Sequence, residues 1–178
     1  MAGDLQVGKR YAQAAFAIAR DTGTIDQWRS DLADIASVLA ESELAPMLAD
    51  DRLPVSTRQQ LVERVLDVQP LALNLARLLI AKGRSLDAGA VAYQFGRMAD
   101  AEAGIEHAEI TTAIDLTADQ VRSIEERLSQ ASGKQVRATA SVDPSILGGV
   151  IVRVGDRLVD GSVRTRLKQL RRELEGVR

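Results

Sequence analysis

The apolar period of this chain changes once, near Glu106, and that change limits the folds open to it. Up to Gly104 the apolar residues recur every three or four positions, the spacing of one face of a helix. Beyond it, Ala108, Ile110, Thr112 and Ile114 alternate with His107, Glu109, Thr111 and Ala113, the period of a strand buried on one side. A helical unit followed by a mixed one satisfies both patterns. The expected fold is therefore α+β in two domains, 1–105 and 106–178.

In the first part, Met1 to Val7 reads as a tail, and helical propensity is continuous from Gly8 to Arg20. Tyr11, Ala15 and Ile18 line one side of that helix; Ala12, Phe16 and Ala19 line an adjacent side. Two apolar sides imply two neighbours. Either both lie within the bundle, or one side is a groove for a partner helix. Thr24 is the expected cap of a second helix carrying Ile25, Trp28, Leu32, Ile35 and Leu39, with Trp28 a core or rim anchor whose indole nitrogen keeps a polar partner. A short helix from Glu43 to Ala49 precedes one entered at Pro54, capped by Ser56 or Thr57, and turned inward through Leu61, Val62, Val65 and Leu66. Gln69-Pro70 opens the segment Leu71 to Lys82, whose Leu71, Leu75, Leu78 and Leu79 are widened by Ala72, Ala76 and Ile80 beyond one stripe. Gly83 suits the left-handed position that ends it, Ser85 suits the next cap, and Leu86 to about Gly104 completes five or six short helices.

The second part reads as small α/β. Thr117 and Gln120 stand at capping-box spacing before a helix with Val121, Ile124 and Leu128 on one face, closed at Ser132-Gly133-Lys134. Val136, Ala138, Ala140 and Val142 form a strand, and Asp143-Pro144 a turn. From Gly148-Gly149, Val150, Val152 and Val154 alternate with Ile151 and Arg153; Gly155-Asp156 then turns the chain into Leu158-Val159, a β-hairpin. Asp160-Gly161 is a turn and Ser162 a cap for a terminal helix with Val163, Leu167, Leu170 and Leu174 on its apolar side. Gly148-Gly149 lacks the lysine-serine or lysine-threonine of a phosphate loop, so these residues read as turn and packing elements.

Composition excludes much chemistry. Among 178 residues there is no cysteine and one histidine, so disulfides, thiolate nucleophiles, cysteine-ligated zinc and histidine-rich metal sites are absent. A net charge of -2 argues against nonspecific nucleic-acid binding. The amino terminus shows no signal core, and no apolar run approaches the roughly 20 residues of a membrane span, so a soluble cytoplasmic protein is the expectation. His107 with Glu109 is a conceivable base, or simply a solvent-facing strand edge. Asp50-Asp51 lacks a calcium-loop cadence and reads as polar linker. The basic residues Arg164, Arg166, Lys168, Arg171 and Arg172 meet water, protein or nucleic acid, in that order of preference. No catalytic, metal or cofactor site is expected; a helix-in-groove interaction is the best reading of the broad apolar surfaces.

Arg10-Tyr11-Ala12-Gln13-Ala14-Ala15-Phe16, the Lys82-Gly83-Arg84 turn, Gly149-Val150-Ile151-Val152-Arg153-Val154-Gly155-Asp156 and Asp160-Gly161-Ser162-Val163-Arg164 together resemble the delta subunits of bacterial F-type ATP synthases, relatives of the mitochondrial oligomycin-sensitivity-conferring protein. The resemblance covers essentially the whole chain. It implies an amino-terminal six-helix bundle, a small carboxy-terminal α/β domain, and a noncatalytic peripheral-stalk subunit, present once per complex. Such a subunit links the alpha/beta head to the b subunits at the cytoplasmic face of the membrane, without entering the bilayer or binding nucleic acid. By resemblance, a groove of the first and fifth helices takes an alpha-subunit amino-terminal helix on Tyr11, Ala14, Ala15, Ile18, Leu75, Leu78 and Leu79, with Trp28 beside it. The ends of the b-subunit dimer meet the second domain, where Ile151, Val154, Leu158, Val163 and Leu167 belong either to that contact or to the core. Gly148, Gly149, Gly155, Asp156, Asp160, Gly161 and Ser162 are then structural markers of the small domain. A helical adaptor of another complex is the alternative reading.

Overall fold

The structure, a computed structural model, describes residues 5–155 and 157–175. The fold is mixed helix and sheet, and the chain divides into two compact units, Met1–Ala99 and Asp100–Arg178.

The first unit is helical: α1 (Leu5–Thr22), α2 (Ile25–Ala36), α3 (Ala45–Ala49), α4 (Val55–Val65), α5 (Pro70–Ala81) and α6, which starts at Ala88 and runs to Glu102. Helix α1 begins at Leu5, so the residues from Leu5 to Val7 expected as tail are its first turn. Three expected caps are replaced. Thr24 stands at the start of α2 without capping it, its hydroxyl paired instead with that of Thr22 at 2.7 Å. Ser56 and Thr57 fall inside α4, because Pro54 already closes the entry with its fixed φ. Ser85 opens a short 3₁₀ turn, Ser85–Asp87, ahead of α6. The stop at Gly83 is as expected: φ is +65°, and the Arg84 amide donates back to the Leu79 carbonyl at 2.8 Å.

Alanine-rich stripes let these helices approach closely. Ala12, Ala15 and Ala19 of α1 and Ala72 and Ala76 of α5 are buried. Gly8 shows how tight the contacts are, since a Cβ there would lie 2.8 Å from that of Ala90. Three of the unit's aromatic rings meet at the core. Phe95 meets Phe16 edge-on at 5.7 Å and stacks on Trp28 at 6.4 Å. Trp28 lies deep in the core, and its Nε1, expected to keep a polar partner, is buried without one. Val65, expected to face inward, is half exposed, because the inward arc of α4 is taken by Val62 and by Arg58, which donates to the Leu48 carbonyl at 3.2 Å. Buried Asp31 of α2 ties distant segments, accepting from Gln27 Nε2 at 2.8 Å and from the Gln69 amide, at the mouth of α5, at 3.3 Å.

The second unit is a four-stranded sheet in the order β2-β1-β3-β4, with β1 (Ile105–Thr112), β2 (Gln135–Val142), β3 (Val150–Val154) and β4 (Arg157–Asp160). Strands β1 and β2 run parallel, joined by α7 (Ala118–Ser132); β3 pairs antiparallel with both β1 and β4. The register aligns Ile110 with Ala140 on one side and with Val152 and Val159 on the other, so one face carries the apolar set. Ala108, Ile110, Thr112, Val136 and Val152 are buried. Ile114, expected to continue that set, lies beyond the strand and is exposed, because the chain leaves β1 at Thr112, whose hydroxyl donates to the Ile114 carbonyl at 2.7 Å.

Both halves of the capping box on α7 are present: Thr117 Oγ1 accepts from the Gln120 amide at 3.3 Å, and Gln120 Oε1 from the Thr117 amide at 2.9 Å. Thr117→Ala should lower the unfolding free energy of the second unit by about 1 kcal/mol, measured in urea, with Gln120→Ala giving a smaller loss.

Candidate partner-binding surfaces

Helices α1 and α5 each carry two apolar stripes and bury one. On α5, Ala72, Ala76, Leu79 and Ile80 are interior, whereas Leu71 is 47% and Leu78 42% exposed, with half-buried Leu75 between them. Leu71, Leu75 and Leu78 stand at i, i+4 and i+7, a single outward stripe. On α1, Ala12, Ala15 and Ala19 face in, Tyr11 is half-buried, and Ala14 and Ile18 face out, Ile18 at 40% exposure. Both helices pack against α2. The eight residues expected in the alpha-facing groove thus divide. Tyr11, Ala14, Ile18, Leu75 and Leu78 have surface to offer. Ala15, Trp28 and Leu79 are interior, where they hold the exposed stripes in place from behind. Leu71, outside the expected set, is exposed on the same stripe, four and seven residues from Leu75 and Leu78.

In the second unit the glycine-rich stretch builds the joint between the hairpin and the terminal helix α8 (Val163–Glu175). Gly149 has φ +82°, and a Cβ there would fall onto the Gly161 carbonyl oxygen, so glycine is required both for conformation and for space. The Gly161 amide donates to the Val150 carbonyl and the Val163 amide to the Gly148 carbonyl, both at 2.9 Å. Gly155 follows β3 in the hairpin turn; Asp156 lies outside the described residues. Buried Ser162 caps α8, its Oγ accepting from the Thr165 amide at 3.2 Å.

Asp160 secures the same joint. Its carboxylate accepts from the Ser162 amide at 2.9 Å and from the Thr165 hydroxyl at 2.7 Å, and these bonds, the Ser162 amide first, hold its pKa below the usual carboxylate value. A depressed pKa stabilises the fold at every pH above the ordinary carboxylate range, and that contribution is lost as pH falls through the lowered value. The amides of Ser162 and Thr165 should therefore stay protected from hydrogen exchange on acidification to pH 4 and lose protection below the usual carboxylate range. In Asp160→Asn the acid-dependent step should be absent.

Other sequence candidates resolve into structural pairings. His107 Nε2 lies 2.8 Å from Asp100 Oδ2, not beside Glu109, a pairing within the second unit. Asp100 is buried, and Arg137 of β2 stands 4.0 Å away. Asp50 binds Arg52 at 2.9 Å, which lowers the Asp50 pKa, and Asp51 meets Arg58 at 3.3 Å. Among the described residues no group of three or more His, Asp or Glu side chains is placed to hold a metal, and no helix is long and apolar enough to cross a membrane.

Of the residues assigned either to the small-domain core or to a b-subunit contact, Ile151 and Val154 are half-buried, whereas Leu158, Val163 and Leu167 are exposed. Beside α7 the sheet leaves a cavity of about 580 Å³ lined by Leu128, Val136, Val152, Val154 and Val159, with the Lys134–Glu106 ion pair at its edge.

The family model described as ATP synthase delta (OSCP) subunit matches residues 7–174. The ATP synthase subunit delta of Moorella thermoacetica is 36% identical over 171 residues, covering 95% of this chain and 96% of the relative. That of Gemmatimonas aurantiaca is 35% identical over 175 residues, covering 97% and 95%. A chain in the cryo-EM structure of the Toxoplasma gondii mitochondrial ATP synthase hexamer superposes with a TM-score of 0.68 at 23% identity, covering 94% of this chain and 96% of that one, and so shares the fold. With a family match from the third turn-forming residue of α1 to the last turn of α8, the chain belongs to the ATP synthase delta (OSCP) subunit family.

Proposed function

We propose that this protein is a noncatalytic stator subunit of an F-type ATP synthase, linking the alpha/beta head to the b subunits and resisting rotor torque during ATP synthesis. Family membership supports the role. The single observation that carries the mechanism is that α5 presents Leu71 and Leu78 outward while Ala72, Ala76, Leu79 and Ile80 fill the core. One helix has two apolar faces, and the unit itself uses one.

The helical unit, residues 1–105 in this reading, is the family's six-helix bundle. Its outward stripes on α1 and α5 form the groove for the alpha-subunit amino-terminal helix, with Tyr11, Ala14 and Ile18 on one wall and Leu71, Leu75 and Leu78 on the other. Small Ala14 permits close approach, and the leucines supply apolar area at ~25 cal/mol per Å². Residues 106–178 meet the carboxy-terminal ends of the b pair. The subunit acts as one copy per complex at the cytoplasmic membrane face, held there by its partners.

Torque resistance needs only that each contact outlast a catalytic cycle. Binding free energy set by buried leucines at one end and by the α/β unit at the other supplies this without chemistry. The test is titration of the full-length folded protein with a peptide of the alpha amino-terminal helix by calorimetry. Saturable binding is expected; absence of binding at high micromolar peptide would overturn the groove.

A further inference from the structure

We propose that the cavity beside α7 is a binding site for a monoanionic amphiphile, a medium-chain aliphatic carboxylate. The site lies wholly within the second unit and goes beyond the stator role.

The cavity follows from how much sheet one helix covers. An α-helix is about 10 Å across and strands lie about 4.8 Å apart, so one helix hides roughly two strands. Helix α7 packs on β2, and the apolar face runs on through Val152 and Val154 of β3 to Val159 of β4. The space left there, about 580 Å³, has Leu128 and Ala131 of α7 as its helical wall. Small-molecule sites occupy about 300–1,000 Å³ and are mostly apolar with a few placed polar groups.

Charge names the ligand. The register sets Val159 opposite Val152 and Arg157 opposite Val154, so the Arg157 side chain leaves the same sheet face as the valines. Two cations line the cavity, Lys134 and Arg157. Lys134 is taken by Glu106, Nζ to Oε1 at 2.6 Å. The Arg157 guanidinium has no hydrogen-bonded or ion-paired partner among the described residues. The lining therefore carries one uncompensated positive charge beside an apolar bed, and its counterpart is one anionic head on an apolar tail. A carboxylate suits the guanidinium, whose parallel N–H groups donate to both oxygens. The lining's hydroxyl, on Ser132, already accepts from the Lys134 amide at 3.3 Å, so a polyhydroxylated ligand is poorly served.

The test titrates uniformly ¹³C-labelled full-length protein with decanoate and reads the methyl resonances. Saturable shifts are expected at Leu128, Val152 and Val159, while the exposed leucines Leu78 and Leu174 stay unmoved. The shorter hexanoate should bind at least about 30-fold more weakly, and decyltrimethylammonium at least about 10-fold more weakly. Arg157→Ala should weaken decanoate about 5-fold and leave binding of the neutral decanol unchanged. Ala131→Trp, at an exposed position of α7, fills the cavity and should abolish binding of both. Shifts spread over the exposed leucines, equal affinity for the anionic and cationic probes, wild-type affinity for decanoate in Arg157→Ala, or binding retained in Ala131→Trp would overturn the proposal. A soluble b-subunit pair is titrated alongside. If b moves the cavity methyls and decanoate does not, the face is a protein contact; the proposal falls and the stator reading stands. If decanoate binds and b does not, the site stands and the b contact of the stator reading falls.

Discussion

Leu78→Asp should weaken binding of the alpha-subunit amino-terminal helix by about 30-fold or more, corresponding to about 2 kcal/mol, while the helical unit stays folded. Leu78 ends the outward α5 stripe at 42% exposure and lies outside the buried set, so the substitution costs the free protein little. In the complex the same carboxylate would be desolvated against apolar side chains, which is why aspartate should hurt more than alanine. Val65→Asp is the matched control. Val65 is 50% exposed, on α4, outside the proposed groove, and its replacement should leave affinity nearly unchanged. Calorimetric titration of wild type and both variants, with circular dichroism to confirm helicity, separates a lost contact from a lost fold. Equal affinity in folded Leu78→Asp would place the groove elsewhere.

Gly149→Ala should destabilise the second unit by about 3 kcal/mol or more, through two effects that act together. The backbone there has φ +82°, costly for any L-residue with a Cβ, and that Cβ would strike the Gly161 carbonyl. Relief requires opening the contact between the loop before β3 and the start of α8, which the Gly161 amide to Val150 carbonyl bond holds closed. Gly155→Ala isolates the first effect. Its φ is +56° with nothing within 4 Å of an added Cβ, so the loss should be about 1–2 kcal/mol. Urea unfolding followed by a probe in the sheet distinguishes them: a large loss for Gly149→Ala with a smaller one for Gly155→Ala is expected. Equal losses would show that steric closure of the joint is unimportant. Binding of the alpha peptide should survive both variants, because Tyr11, Leu75 and Leu78 belong to the other compact unit.

The parts of this fold that could be read from residues alone are those set by near neighbours in the chain. The change from helical to strand period near Glu106, the Thr117–Gln120 capping box, the stop at Gly83 and the hairpin leading to Ser162 all depend on contacts within a few positions, and each stands in the structure. Caps failed where a neighbour offered a competing partner: Thr24 turned to Thr22, and Pro54 made Ser56 and Thr57 redundant. Periodicity finds an apolar face but does not say what covers it. It could not tell the outward Leu71 and Leu78 from the inward Leu79 and Ile80, or show that the terminal stripe from Val163 to Leu174 is left open. Pairings set by the fold leave no local trace either: Asp31 meets Gln69 across 38 positions, and His107 turns to Asp100, seven positions back, in place of Glu109. An excess of apolar area was therefore legible from the residues, and only the packing separated the part that stabilises the unit from the part it leaves exposed.

The bridging role is tested most directly by immobilising a soluble b-subunit pair and measuring retention of the alpha/beta head with and without this protein. The head should be retained only when the full-length chain is present, and retention should fall with Leu78→Asp although the variant itself still binds b. Retention of the head in the absence of the chain, or failure of the folded wild-type protein to retain it, would contradict a stator link.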